Sequence, residues 1–175
     1  MDGGEVMKSF EEEMQKEIEY YNSLPAEFGG FIDPSELTDG VIHLACTMKR
    51  AAIPEKKYVP AYDFAICKDD ETIGEINLRI GYTEGLYYGG QIGYSVDEAH
   101  RGKGYAVRAC RLLTPIAKAH KMKRLLITND CNNIASKRVC EKLGLRLVRL
   151  ARLPEWHDLY KEGQRFVNIF EWNVE

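Results

Sequence analysis

Apolar residues recur along the chain at two spacings, and each spacing predicts one type of secondary structure. Between residues 5 and 24 they recur at steps of three and four, which places an apolar stripe on a helix whose other face is acidic. The stripe residues are Met7, Phe10, Met14, Ile18 and Tyr21. Pro25 predicts the end of this helix. Shorter apolar segments then predict strands at residues 41–48, 61–67, 72–80 and 91–96.

The second half of the chain alternates between the two patterns. It predicts helices at 104–120 and 134–143, and strands at 124–128, 145–150 and 166–172. The stripe of the first helix comprises Ala106, Ala109, Cys110, Leu113, Ile116 and Ala117, and Pro115 inside it predicts a kink. The segments 82–90, 129–133 and 153–163 are expected to be a turn, a polar loop and irregular chain. This order predicts an α/β (α+β) fold, a mixed sheet with helices on its faces.

Length and charge narrow the class of protein. A chain of 175 residues with 45% hydrophobic content is enough for one globular domain with a core. The net charge of −3 argues against a general nucleic-acid binder or a binder of anionic membranes. No apolar run is long enough for a membrane span, and the acidic N-terminus lacks a signal-peptide profile, so a cytoplasmic protein is expected. The five cysteines form no CxxC pair and the four histidines are scattered, so no metal site is expected.

The stretch 91–106 carries the first chemical signal. A strand ends near Val96, a polar segment follows, and a glycine-rich turn, Arg101-Gly102-Lys103-Gly104, opens the helix at 104–120. A turn of this kind at a helix N-terminus presents backbone N–H groups and the positive end of the helix dipole. The sequence therefore predicts an anion-binding site here.

Two common phosphate-binding motifs do not fit this turn. A dinucleotide fingerprint needs a third glycine, where the chain has Val107, and an acidic residue about 20 positions later, where it has lysines. A P-loop needs a Ser or Thr after its Gly-Lys pair, where the chain has Gly104, and a glycine at position 97, where it has Asp97. The remaining interpretation is a clamp for a pyrophosphate group.

A pair of motifs resembles the GNAT superfamily of acetyl-CoA-dependent N-acetyltransferases. Arg101-x-x-Gly104-x-Ala106 is similar to the family's R/Q-x-x-G-x-G/A motif, and residues 133–144 are similar to its second signature, N-x-x-[AS]-x-x-x-[YL]-x-K-x-G. The resemblance covers about residues 41–173, so the chain divides into an N-terminal amphipathic helix extension, 1–25, and a GNAT domain, 26–175. It implies a mixed, mostly antiparallel sheet of six to seven strands, splayed at the fourth and fifth. Only about a dozen residues separate the first two strands, too few for the family's usual two helices.

The resemblance also implies roles for individual residues in binding acetyl-CoA. Backbone N–H groups of the turn would hold the pyrophosphate, and Val96 would offer backbone groups to the pantetheine arm. Asn133 would hydrogen-bond the arm, and Ser136 would cap or touch the cofactor, although helix capping is an alternative for both. The residues expected at the cofactor are Tyr94, Val96, Arg101, Gly102, Lys103, Gly104, Tyr105, Ala106, Asn133 and Ser136.

The sequence offers candidates for both catalytic groups, the acid and the base. Cys140 stands where the family often has the tyrosine that protonates the leaving thiolate; a buried, inert thiol is the alternative, with Tyr160 and Tyr94 as other proton donors. Glu75 is the candidate base. It shares a strand face with Asn77 and Arg79, which either line the acceptor groove or belong to a solvated surface.

The sequence thus predicts an N-acetyltransferase that uses acetyl-CoA and no metal. Direct transfer in a ternary complex is favoured over acylation of Cys140, because no activating group lies beside that thiol in the sequence. The acceptor would be a small-molecule amine or a peptide amine. A non-catalytic acyl-CoA sensor is the alternative function. The N-terminal helix is a candidate either for a homodimer interface or for the monomer's own core.

Overall fold

The computed structural model describes residues 2–175, in which the chain forms five α-helices and eight β-strands. The helices are α1 (Gly3–Asn22), α2 (Glu84–Gly89), α3 (Tyr105–Ala119), α4 (Ile134–Lys142) and α5 (Asp158–Lys161). The strands are β1 (Leu37–Thr38), β2 (His43–Arg50), β3 (Ala61–Lys68), β4 (Glu71–Arg79), β5 (Ile92–Val96), β6 (Arg124–Asp130), β7 (Arg146–Arg152) and β8 (Phe166–Asn173). All seven predicted strands are confirmed, and the two-residue β1 is an addition.

The strands form two antiparallel sheets. The order is β1-β2-β3-β4-β5 in the first sheet and β6-β8-β7 in the second. The sheets meet where the backbone N–H of Gln91 donates to the carbonyl of Leu126, at 2.8 Å. Beyond this point β5 and β6 no longer pair with each other. Strand β5 pairs with β4 in the first sheet, and β6 pairs with β8 in the second. The predicted fourth and fifth strands, β5 and β6, therefore lie at the boundary where the splay was expected.

The main core lies between the first sheet and α3. Ile76, Leu78 and Ile92 from the sheet pack with Leu113 and Ile116 of the helix, and all five are buried. Alternate residues of β4 therefore face α3, and the remaining ones, including Glu75, face away from it. We call this second surface, opposite α3, the outer face of the first sheet.

Helix α1 packs on the second sheet through its C-terminal half alone. Ile18 and Tyr21 are buried in a second hydrophobic cluster, and Glu17 pairs with Arg149 of β7. The N-terminal part of the predicted stripe is exposed, with 59% of Met7 and 56% of Phe10 accessible. The predicted stripe is therefore buried only in its C-terminal part, at Ile18 and Tyr21.

Three segments predicted as non-regular contain regular structure. Residues 82–90 were expected to be a turn but contain α2, whose start is capped by the Thr83 hydroxyl accepting from the amide of Leu86. The irregular segment 153–163 contains α5, and the loop 129–133 begins with two residues of β6. Packing of Tyr87 and Tyr88 in the second cluster explains α2, since burial of two aromatic side chains offsets its short length.

Helix α3 continues through Pro115. No helix within residues 2–175 combines the length and the apolar character that a bilayer crossing requires.

Candidate functional site

The glycine turn holds a set of backbone donors at the start of α3. Gly102 and Gly104 have φ angles of +77° and +80°, a left-handed conformation that favours glycine. The amide of Arg108 donates to the carbonyl of Gly104, which begins the hydrogen bonds of the helix. Within residues 2–175, the amides between Gly102 and Val107 donate to no other group. They are therefore free to bind an anion.

A cationic groove continues from this turn along α3. It is a cavity of about 580 Å³ that includes Lys103 and Gly104 of the turn. Its lining residues are Asp39, Lys103, Gly104, Val107, Arg108, Arg111, Leu112 and Lys142. Four of these side chains are cationic and one is anionic, which suits a ligand with several negative charges. Arg108 and Arg111 lie three residues apart on one helix face, a spacing that could have shown the groove in the sequence.

Asp39 is the one acidic side chain in the groove. Its carboxylate accepts from Arg108 at 2.8 Å and from the amides of Val41 and Ile42 at 2.9 Å. Burial raises the pKa of this carboxyl, but the hydrogen bonds from Ile42, Arg108 and Val41 outweigh it and hold the pKa below its ordinary value. Sequence reasoning missed this ion pair, because 69 residues separate its partners.

The end of β5 directs backbone groups toward the boundary between the sheets. The amide of Asp97 donates to Ile73 at 2.8 Å, so these two residues form a hydrogen-bonded pair. Hydrogen-bonded pairs alternate with non-hydrogen-bonded pairs in an antiparallel ladder, so Val96, opposite Gly74, is of the second kind. The N–H and C=O of Val96 therefore point away from β4, as the predicted contact with a pantetheine arm requires.

Arg101 connects the turn to this strand end. Its Nε donates to the carbonyl of Val96 at 2.8 Å. The side chain thus fixes the position of the turn relative to β5, and the amide of Val96 is the group that remains for a ligand.

Tyr94, Ser136 and Asn133 form one cluster between β5 and α4. The hydroxyl oxygens of Tyr94 and Ser136 lie 2.7 Å apart, and Asn133 Oδ1 accepts from the amide of Ser136 at 3.1 Å. Burial raises the pKa of the Tyr94 phenol well above its ordinary value, so this hydroxyl stays protonated at neutral pH. Asn133 caps α4 through its oxygen and keeps its amide nitrogen for another partner.

Cys140 lies on the buried face of α4, with none of its surface exposed. Asn129 donates to its sulfur at 3.5 Å, and burial raises the pKa of the thiol to about 12. Asn168 in turn donates to Asn129, which forms a buried polar group that sequence reasoning missed. This placement fits a small buried thiol and gives Cys140 no access to a leaving group at the surface.

Tyr160 lies in a different part of the molecule from the Tyr94 cluster. It packs against the second hydrophobic cluster, whereas Tyr94 and Cys140 belong to the main core. The guanidinium of Arg165 lies 3.8 Å from the centre of its ring. The structure therefore does not bring Tyr160 together with the other candidate catalytic residues.

Glu75, Asn77 and Arg79 share the outer face of the first sheet, as predicted. Glu75 is exposed and stands opposite Ser95 of β5. Arg79 donates to the carbonyl of Gly90 at 2.9 Å. Burial lowers the pKa of Arg79, and the charge of Arg50 lowers it further.

No group of three or more His, Cys, Asp or Glu side chains within residues 2–175 could hold a metal ion.

Comparison with known proteins extends the match beyond the two motifs. Residues 15–146 match the family model described as an acetyltransferase (GNAT) domain. The chain is 29% identical over 110 residues to the ribosomal-protein-serine acetyltransferase of Escherichia coli (strain K12), covering 62% of this chain and 60% of that protein. It is 34% identical over 97 residues to the probable N-acetyltransferase YjcK of Bacillus subtilis (strain 168), covering 52% and 51%. The chain thus spans about half to three fifths of these two relatives.

The fold is also similar to that of a ribosomal L7/L12 alpha-N-protein acetyltransferase solved in complex with Coenzyme A. The TM-score is 0.58, with 16% identity over 79% of this chain and 98% of that one.

Proposed function

Because the chain belongs to the GNAT family of acetyltransferases, we propose that it transfers the acetyl group of acetyl-CoA to a primary amine. The transfer is direct, in a ternary complex of enzyme, donor and acceptor. The observation that carries this proposal is the run of free amides from Gly102 to Val107, with a cationic groove beside it. A pyrophosphate at these amides and the ribose 3′-phosphate of CoA in the groove would meet complementary charge.

Val96 aligns the donor for reaction. Its N–H points toward the boundary between the sheets, where an extended pantetheine arm can lie beside β5 as an additional strand would. The same N–H donates a hydrogen bond to the thioester carbonyl oxygen, where negative charge develops during transfer. Asn133 donates its side-chain amide to the arm from the start of α4.

Proton transfer involves two side chains on opposite faces of the first sheet, Tyr94 on the face toward α3 and Glu75 on the outer face. Tyr94 carries a hydroxyl proton and lies in the cluster with Ser136 beside the expected arm, so it serves as the acid for the leaving thiolate. Glu75 accepts the proton of the acceptor ammonium, directly or through water, since a protonated amine cannot attack. Burial of Cys140 argues against its acylation during transfer.

The acceptor is a protein or peptide amine. The relative from Escherichia coli is named a ribosomal-protein-serine acetyltransferase, which supports an acceptor of this class. The outer face of the first sheet supports it too, because Glu75 and Ser95 are exposed there, opposite each other on β4 and β5.

Thermal denaturation with acetyl-CoA tests the donor site. A ligand at about 100 times its Kd stabilises the folded state by about 2.7 kcal/mol, which is about 5–10 °C in Tm for a chain of this size. We expect Gly104→Asp to abolish this rise, because a carboxylate at the turn repels the pyrophosphate. Gly163→Asp is the matched control, since Gly163 also has a positive φ, +102°, but lies after α5. An equal rise in wild type and Gly104→Asp would contradict the proposed clamp.

Release of free CoA with a panel of peptides and small amines tests catalysis. Acetyl-CoA binding without CoA release from any acceptor would instead support a sensor.

A further inference from the structure

The polar residues on the outer face of β4 form an ordered series of chemical groups. Starting near the level of Val96, the series is a carboxylate, an amide and a guanidinium, from Glu75, Asn77 and Arg79. Neighbours in the series are two residues apart, which is about 6.6 Å along a strand. The series therefore begins negative beside the proposed transfer point and ends positive about 13 Å away.

Glu75 at the negative end has no partner of its own. It is exposed and makes no ion pair or side-chain hydrogen bond within residues 2–175. Its strand partner is Ser95, the residue before Val96. An acceptor ammonium bound by this carboxylate would lie near the end of β5.

Asn77 in the middle has an unsatisfied amide. Its Oδ1 is the one buried side-chain oxygen or nitrogen within residues 2–175 that lacks a hydrogen-bond partner. The amide lies against the backbone of Gly93, where a Cβ would be 3.3 Å from both Nδ2 and Oδ1. Rotation about the second side-chain torsion, which is broad for asparagine, turns either atom toward the outer face. An amide group of a ligand would satisfy it.

Arg79 at the positive end forms no ion pair within residues 2–175, and the charge of Asp63 offsets its own only in part. Its single hydrogen bond goes to the backbone carbonyl of Gly90. The nearby carboxylate of Asp63 is already paired with Arg50 through two bonds of 2.8 and 2.9 Å. No carboxylate within residues 2–175 lies at ion-pair distance from Arg79, so an external anion would be favoured there.

We propose that this series selects acceptors that carry an anionic group three to four residues from the reacting amine. The inference rests on the proposed transfer reaction. The ammonium pairs with Glu75, a peptide group of the acceptor pairs with Asn77, and a carboxylate pairs with Arg79. An extended peptide advances at most about 3.3–3.6 Å per residue, so the 13 Å span corresponds to about four residues.

Peptide acetylation provides the test. The substrates are octapeptides of Ser, Ala and Gly with a free N-terminus and an amidated C-terminus, each carrying one Asp at position 2, 4, 5 or 8. Matched peptides carry Asn at the same position, and acetyl-CoA is saturating. We expect kcat/KM to be about tenfold higher for Asp than for Asn at position 4 or 5, the ratio that a charge-assisted pair contributes. At positions 2 and 8 the ratio should be close to one.

Variants of Arg79 show whether this residue is responsible. Arg79→Gln should reduce the Asp-to-Asn ratio to within about twofold, and Arg79→Lys should retain part of it, because lysine keeps the charge without the bidentate geometry. Arg152→Gln, an exposed arginine on β7, is the control and should leave the ratio unchanged. The Asp-to-Asn ratio separates loss of carboxylate recognition from a general structural defect, because such a defect would lower kcat/KM for the Asp and Asn peptides alike.

The possible outcomes distinguish this inference from the proposed function. Turnover of the peptides with no preference for Asp, or with a preference that survives Arg79→Gln, overturns the inference and leaves the transferase intact. Absence of turnover across peptides and small amines alike would overturn both.

Discussion

At the scale of single residues, the environment of Cys140 distinguishes direct acetyl transfer from a mechanism in which the Cys140 thiol is acylated. Its thiol is fully buried and its pKa is raised to about 12, so it remains neutral and out of reach of solvent. We expect Cys140→Ala to keep kcat within about twofold of the wild type. Its stability should fall by about 1–2 kcal/mol, because the substitution leaves a small cavity and removes the partner of Asn129. Steady-state kinetics and urea unfolding measure the two effects.

Cys110→Ala is the matched control for this substitution. Cys110 is also fully buried, in α3. A loss of kcat of about a hundredfold in Cys140→Ala alone, with the fold intact, would show that the thiol takes part in the reaction.

The turn that we propose binds an anion was more predictable from the sequence than the side chains that pair with one another. The turn from Arg101 to Gly104 is local, because glycine conformations and a helix start are set by neighbours in the chain. The contacts of Tyr94 with Ser136 and of Arg108 with Asp39 join residues 42 and 69 positions apart. Such pairs depend on register and packing, which a single sequence does not specify.

At the scale of elements, Gln91 joins the two sheets. Its backbone N–H donates to Leu126, its Oε1 accepts from the amide of Leu126 at 2.6 Å, and its Nε2 donates to Gly81. Gln91 is almost completely buried, at 1% exposure. The side chain thus holds β5 beside β6 at the end where the two strands meet.

We expect Gln91→Leu to destabilise the fold by about 1–3 kcal/mol, because it leaves buried polar groups of Leu126 and Gly81 without partners. Acetyl-CoA should also bind more weakly, since the spacing between β5 and β6 would set the width of the site proposed for the arm. Urea unfolding and titration with acetyl-CoA measure the two quantities. Ile92→Val, a neighbouring core substitution of similar modest cost, is the control and should leave affinity unchanged. Equal affinity in both variants would show that Gln91 supports the fold alone.

Elements with strong periodicity were predicted well, and short ones were not. Helix α3 and strand β4 follow the expected bounds to within one residue, because their apolar spacing reflects a face buried along the whole element. Helix α2 has six residues and no complete apolar repeat. Its stability comes from Tyr87 and Tyr88 packing against other parts of the chain, which the local pattern does not record.

At the scale of the whole molecule, two hydrophobic clusters and the boundary between the sheets define the fold. The two sequence motifs indicated the domain and the splay between β5 and β6, because the domain and the splay are both features of the family that the motifs resemble. The docking of α1 on the second sheet could not be predicted, since a stripe on a helix does not identify the surface that covers it. The docking of α1 is stabilised by hydrogen bonds of 2.7–2.8 Å that the Glu17 carboxylate accepts from Tyr87 and Arg149.

The charge of Glu17 makes this docking dependent on pH. Burial raises the pKa of Glu17, but hydrogen bonds from Arg149 and Tyr87 and the charge of Arg149 outweigh it, and the pKa lies below its ordinary value of 4.5. A carboxylate with a lowered pKa contributes stability that is fully present above its unfolded value, near pH 4.5, and is lost as the pH falls through the folded value. The contribution should therefore be largest near neutral pH.

Glu17→Gln tests this linkage, because glutamine keeps the shape of the side chain but cannot ionise. We expect the difference in unfolding free energy between wild type and Glu17→Gln to be constant from neutral pH to about pH 5 and to shrink steadily below about pH 4.5. Urea unfolding at a series of pH values measures it. Glu5→Gln, at an exposed position in the first turn of the same helix, should show a difference near zero throughout. A difference for Glu17→Gln that does not change with pH would mean that shape and packing, rather than the carboxylate charge, hold α1 on the second sheet.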